Sequence, residues 1–177
     1  MTSTQIQEML DRSFAIDPKV DEALSALMTE ARLAERWAGL SPPSLAGHHR
    51  ILISFLVCAI AALGVAALAG RSTHVRCLCP VCQSPTNVDI AADGLTIEST
   101  SSPDARVWTG VTEVGACAAD TQCKSMLLFC SHAHLDAWRR NQSADMRGFD
   151  LSLEQGIQLG AAIFRPFLER ATKEANL

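Results

Sequence analysis

The chain has 177 residues, a formal net charge of −4, seven cysteines and no tyrosine. That length suits one domain with its own aliphatic core and no need of disulfide staples. The mildly acidic balance leaves no basic surface for nucleic acid. The first residues, MTSTQIQEML, lack the basic and apolar regions of a secretory signal. Clustered thiols in such a chain read as metal-binding or catalytic rather than disulfide-bonded, and a cytoplasmic location is expected.

In chain order, residues 4–12 suggest a short helix, with Ile6, Met9 and Leu10 on one face. Asp17 and Pro18 open a second helix that runs to about Ala38 and stops at Gly39. Ser41-Pro42-Pro43-Ser44 is a break. Residues 1–45 are therefore read as a helical extension, and 46–177 as the domain that carries the chemistry. His48 and His49 are adjacent, so they point in different directions and flank the next segment rather than chelate. Residues 51–70, ILISFLVCAIAALGVAALAG, form a charge-free apolar run around Cys58. The run is long enough to cross a bilayer, and Arg50 and Arg71 flank both ends without setting an orientation. Its alanines and two glycines equally suit a fully buried core helix, and the pattern leaves both readings open.

Downstream, Cys79-Pro80-Val81-Cys82 is turn-rich, and residues 86–90 alternate as a strand. Ala92-Asp93-Gly94 predicts a hairpin turn, followed by a second strand over 95–100. Val107–Val111 suggests a third strand, and Met126–Phe129 a buried one. Residues 131–140 read as helical, with Leu135 and Trp138 inward. Ser152 is a good N-cap for a final helix whose apolar side is Ile157, Leu159, Ile163 and Phe167. The fold class is α+β: N-terminal helices, a core helix, a small mostly antiparallel sheet and C-terminal helices.

Two stretches carry chemistry. Cys77-Leu78-Cys79-Pro80-Val81-Cys82 contains a C-P-x-C unit, whose tight turn lets two thiolates grip one ion. A closed tetrahedral site needs two further ligands, available from Cys117, Cys123, Cys130, His132 or His134. The plainer reading is a turn with buried, unreactive thiols. In Cys130-Ser131-His132-Ala133-His134, an extended backbone would put Cys130, His132 and His134 on one face. A protonated histidine there would enrich the Cys130 thiolate. The plainer reading is a strand end with two polar histidines.

From about residue 48 to 170 the chain resembles the alkylmercury lyase family. The resemblance rests on ordered stretches: Phe55-Leu56-Val57-Cys58-Ala59-Ile60-Ala61, then Gly70-Arg71-Ser72-Thr73-His74-Val75, and Cys79, 21 residues after Cys58. Val88-Asp89-Ile90, Phe129-Cys130-Ser131-His132-Ala133-His134, Trp138 and the segment from Ser152 to Gly160 follow. The first 45 residues are too short for the family's usual winged-helix portion in full. The resemblance implies an alkylmercury-lyase-like domain in which 51–70 is a buried core helix rather than a membrane span. It also implies that Cys58 and Cys130 are catalytic, take the mercury of an organomercurial and cleave its carbon–mercury bond by protonolysis. Mercury is then a substrate and product ion, small thiols are partners and no cofactor is required. The family's aspartate, three residues after the first cysteine, is here Ala61, and its adjacent second cysteine is Ser131. The missing acid makes His132, or a coordinating thiol, the candidate proton relay. Cys79 matches a structural cysteine, and with Cys77 and Cys82 could hold a structural zinc. Ala61 also motivates a different reading, a non-catalytic thiolate metal-binding protein. A third is a membrane-anchored protein with a zinc knuckle.

Overall fold

The computed structural model describes residues 15–29, 51–54, 58–112 and 122–175, with backbone alone for 51–54 and 166–175. The expected helix over 4–12, the break at 41–44, His48, His49 and Cys117 lie outside the described residues.

Helix α1, Pro18–Thr29, buries Val20, Ala23, Leu24, Leu27 and Met28 on one side, the spacing expected of an amphipathic helix. Asp17 caps its start by accepting the Lys19 amide at 2.9 Å. The apolar run then departs from a single helix. Its first part is strand β1, Ile51–Ser54, and only its second part is helix α2, Ala59–Ala69. The sequence accounts for the division. Ile51 and Ile53 are β-branched and stiff at χ1, which suits a strand, whereas 59–69 is alanine- and leucine-rich. Gly70 ends α2 in the left-handed conformation, φ 62°, with its amide returned to the Ala66 carbonyl. Strand β2, Thr73–Leu78, lies parallel to β1, so β1–α2–β2 is a crossover unit. Among the described residues no helix is long and apolar enough to cross a membrane.

Strands β3, Pro85–Ile90, and β4, Ile97–Thr100, complete a four-stranded sheet in the order β1-β2-β3-β4. The predicted hairpin turn forms between β3 and β4. Asp93 Oδ1 accepts the amides of Leu95 and Thr96, and Gly94 takes φ +72°, which a side chain would resist. A second, antiparallel sheet has the order β6-β5-β7, from Arg106–Gly110 (β5), Met126–Phe129 (β6) and Gly148–Ser152 (β7). Helix α3, His132–Arg139, follows β6, and α4, Leu153–Ala175, follows β7. Ser152 caps α4 as the sequence suggests: its hydroxyl accepts the Gln155 amide while Gln155 Oε1 accepts the Ser152 amide, a reciprocal capping box.

The second sheet has two buried faces, because side chains alternate along a strand. Val107, Met126, Leu128 and Leu151 join an aliphatic core shared with α1, α2, α4 and the first sheet. Trp108 and Phe129 point the other way and form a separate cluster with Leu135 and Cys79, flanked by Leu127, Cys130, Trp138 and Met146. Trp138 lies 5.8 Å from Trp108 and 5.3 Å from Phe129 between ring centroids, in tilted arrangements that add to the area they bury. In the aliphatic core α2 and α4 cross at glycine against glycine. A Cβ on Gly160 would stand 2.8 Å from the Gly64 nitrogen and 2.9 Å from its Cα, so the two backbones touch only because neither carries a side chain.

Candidate functional site

The six described cysteines are all free thiols. They fall into two groups with Cys77 apart from both.

The first group is built on the start of α2. Cys58 follows β1 and occupies the N-cap position with extended backbone, φ −66° and ψ 161°. The β1–α2 connection therefore delivers its sulfur, half-buried, to the rim of the aliphatic core. Cys58 Sγ lies 3.6 Å from Met126 Sδ at the beginning of β6. The 3₁₀ turn Gln122–Ser125 leads into β6 and brings Cys123 to Cys58. Gln122 is buried and fixes that turn, donating to the Gly110 carbonyl at 2.5 Å and accepting from Thr112 Oγ1 at 3.0 Å. Hydrogen bonding to Cys58 lowers Cys123 to about 7. The same hydrogen bond, then burial, pushes Cys58 well above the ordinary thiol range. The Ala61 amide pulls the other way and favours a Cys58 thiolate, without closing a capping hydrogen bond. The site thus brings two thiols together at a helix N-terminus, an arrangement that can hold one soft ion between two sulfurs.

The second group is built on the β2–β3 turn and the start of α3. Residues 79–84 form a closed knuckle: the Cys79 amide donates to the Ser84 carbonyl at 3.0 Å, and the Gln83 amide to the Cys79 carbonyl at 2.9 Å. Gln83 adopts φ 60° to close it, a conformation more comfortable for glycine. Cys79 is buried beneath the knuckle and Cys82 exposed on it. From the other side come Cys130, just after β6, and His134, in the first turn of α3. The sulfurs of Cys79, Cys82 and Cys130 and a ring nitrogen of His134 all lie within 4.8 Å of one another. The Ser84 hydroxyl and amide, donating to Cys82, lower it to about 6. Burial, then the neighbouring Cys82 and Cys79 sulfurs, push Cys130 up to about 12. Among the described residues, the tetrad is a group of donors that could hold a metal ion.

Each described candidate residue has a definite place. Cys58 meets Cys123 and Met126, whereas Cys130 meets Cys79, Cys82 and His134. Met126 and Cys130 stand four residues apart on β6 and its end, roughly 13 Å of strand rise. Of the Cys77, Cys79 and Cys82 run, Cys79 and Cys82 join the tetrad. Cys77 stays on β2 against the aliphatic core, where burial raises it to about 11. The stretch after Cys130 is not extended. Ser131 accepts the His134 amide at 3.3 Å and starts α3, so Cys130 and His134 lie one helical turn apart. His132, the candidate relay, faces carboxylates instead: its Nε2 is 3.6 Å from Asp150 and 3.7 Å from Asp136. Asp150 is itself bound by Arg106 at 2.7 Å. The sequence offered Cys123 only as a possible further ligand for the C-P-x-C unit; its meeting with Cys58, 65 positions away, had no motif to signal it. The signal for His134 was Ser131 as a helix start three residues before it.

A family model for alkylmercury lyase matches residues 53–165. The chain belongs to the alkylmercury lyase family. Among solved structures, the mercury-bound form of MerB2 has a similar fold, with a TM-score of 0.54 and 23% sequence identity. The likeness covers 63% of this chain and 52% of that one, so the chain spans about half the length of that relative. No curated protein matches. The family match covers both thiol groups, and the expected order of elements from Cys58 to α4 is that of an alkylmercury-lyase-like α+β fold.

Proposed function

We propose that the protein is an organomercurial lyase that works with Cys58 and Cys123, the first as proton donor and the second as nucleophile. The observation that carries this reading is the meeting of Cys58, at the start of α2, with Cys123 on the 3₁₀ turn that leads into β6. The substrate is an organomercury cation carried as its small-thiol adduct, R–Hg–SR′. The Cys123 thiolate displaces R′S⁻ and forms R–Hg–S(Cys123). The Cys58 thiol then gives its proton to the carbon as the carbon–mercury bond breaks, and its sulfur takes the vacated position on mercury. The products are R–H and mercury held between the two sulfurs, from which two small thiolates remove it. Thiolates are soft donors suited to mercury, and the ion arrives with the substrate, so no cofactor is needed.

Ala61 stands where the family's resemblance places an aspartate, and Cys58 itself supplies the missing proton. The thiolate it leaves is received by the helix N-terminus and by mercury together. The resemblance puts the family's second catalytic cysteine at Cys130, and Cys130 is engaged in the tetrad. Free thiols in both groups suit a reducing cytoplasm.

The test is a turnover assay on the reduced full-length protein with an arylmercury compound and excess small thiol. Release of hydrocarbon is expected, falling about 10²–10⁴-fold in Cys58→Ser and Cys123→Ser, the range for loss of a positioned proton donor or partner. Unchanged release in Cys123→Ser, together with loss in a folded Cys130→Ser, would return the second role to Cys130. Stoichiometric mercury binding without hydrocarbon would make the protein a thiolate binder and end the lyase reading.

A further inference from the structure

We propose that Cys79, Cys82, Cys130 and His134 form a closed tetrahedral zinc site that clamps the β2–β3 turn onto the start of α3. The inference goes beyond the lyase reading and uses none of its residues.

Two edges of the donor cluster already match a zinc tetrahedron, and all its donor atoms lie within 4.8 Å of one another. Zinc–sulfur bonds of about 2.3 Å and zinc–nitrogen bonds of about 2.0–2.1 Å give edges of about 3.8 Å between sulfurs and about 3.5 Å from sulfur to nitrogen. Cys82 Sγ and Cys130 Sγ lie 3.7 Å apart, and Cys79 Sγ lies 3.5 Å from His134 Nδ1. Cys130 Sγ is 3.1 Å from the same nitrogen, an edge that opens by a few tenths of an ångström on metal entry. Three thiolates and one imidazole are a usual set for structural zinc, and the two donors of each segment are positioned by local structure. The knuckle fixes Cys79 and Cys82 through its two backbone hydrogen bonds, and one helical turn fixes Cys130 and His134. Four protein donors fill a tetrahedral ion and leave no open position. That separates this site from the chemistry at Cys58 and Cys123, which must admit a substrate and release an ion.

Zinc entry displaces the thiol protons of the tetrad, and the binding energy then counts toward folding. The ion would join two segments that are otherwise connected by the aromatic cluster of Trp108, Phe129 and Trp138. Cys130 becomes a ligand that does not exchange with substrate.

The experiment is elemental analysis of the full chain, purified under reducing conditions from zinc-replete medium, followed by cobalt(II) replacement. Stoichiometric zinc and a cobalt spectrum with sulfur-to-cobalt charge transfer and intense tetrahedral visible bands are expected. Cys82→Ser and His134→Ala should lose the zinc, while Cys58→Ser and Cys123→Ser keep it. A reduced protein that neither carries nor takes up zinc would overturn the proposal. So would a cobalt spectrum without thiolate bands, or full zinc occupancy in both Cys82→Ser and His134→Ala. Zinc held by Cys58→Ser, whatever its activity, keeps this result separate from the fate of the lyase reading.

Discussion

The two faces of the β6-β5-β7 sheet carry the same element, sulfur, in opposite arrangements. On the aliphatic face two thiols meet at a helix N-terminus beside a thioether. On the aromatic face four donors converge on one point. The number of donors sets what each face can do. An open pair can exchange a metal and pass a proton, whereas a filled tetrahedron can only hold. Strand alternation keeps them apart, since Met126 and Leu128 face one way and Leu127 and Phe129 the other.

The largest test of that contrast is Ala61→Asp. Residue 61 lies one turn after Cys58 on α2, so a carboxylate there can serve the reacting carbon. Hydrocarbon release should rise about 10²-fold, the lower range for an added general acid, with zinc content unchanged. No gain would mean that Cys58 already supplies the proton without limiting the rate. Next is Gly160→Leu, which forces α2 from α4 where their backbones touch. Overpacking should cost about 1–3 kcal/mol in denaturant unfolding and reduce release by disturbing Cys58, while the cobalt spectrum of the tetrad stays as it was. A spectrum that collapses with the release would show that the two faces are not independent.

A pH profile separates the faces more finely. The reactive form of Cys123 is the thiolate, so lowering the pH through about 7 removes it. Organomercury capture should then fall tenfold per unit below that value and level off above it, as read by single-turnover kinetics. A flat profile down to pH 6 would point to a different nucleophile. In metal-free protein Cys82 should remain alkylatable to about pH 6, and zinc should protect it. The smallest effect is expected from Ser84→Ala. Loss of the leading donor to Cys82 raises its pKa toward the ordinary thiol value, slowing alkylation severalfold at pH 6.5 in metal-free protein and leaving release at Cys58 untouched.

Much of this architecture was legible in the sequence. The sequence pattern located β3, β4, β5 and β6, whereas β1, β2 and β7 were not read as strands, and Ser152 marked the start of α4 with its capping box. The ordered stretches from Cys58 to Gly160 marked the family. The division of 51–70 was harder, because a continuous apolar run carries no period that separates a buried strand from a buried helix. Only the shift from β-branched residues to alanine hinted at it. The thiol pairings were not legible. Cys58 and Cys123 meet through a 3₁₀ turn held by buried Gln122, and no spacing rule reports a contact between segments so far apart. His134 rather than His132 meets the sulfurs because the helix expected over 131–140, capped by Ser131, returns His134 to Cys130.

The glycine turn of the β3–β4 hairpin gives α2 a mechanical role. Gly94 rests on the far end of that helix, where an added Cβ would stand 2.5 Å from the Ala67 Cβ, and Arg165 of α4 holds the neighbouring Asp93 carbonyl. Cys58 sits at the opposite end of the same rod, whose eleven residues span about 16 Å. The hairpin tip thus braces one end of the helix whose other end carries the Cys58 thiol, so bulk added at Gly94 would press on the helix that positions a sulfur it never touches.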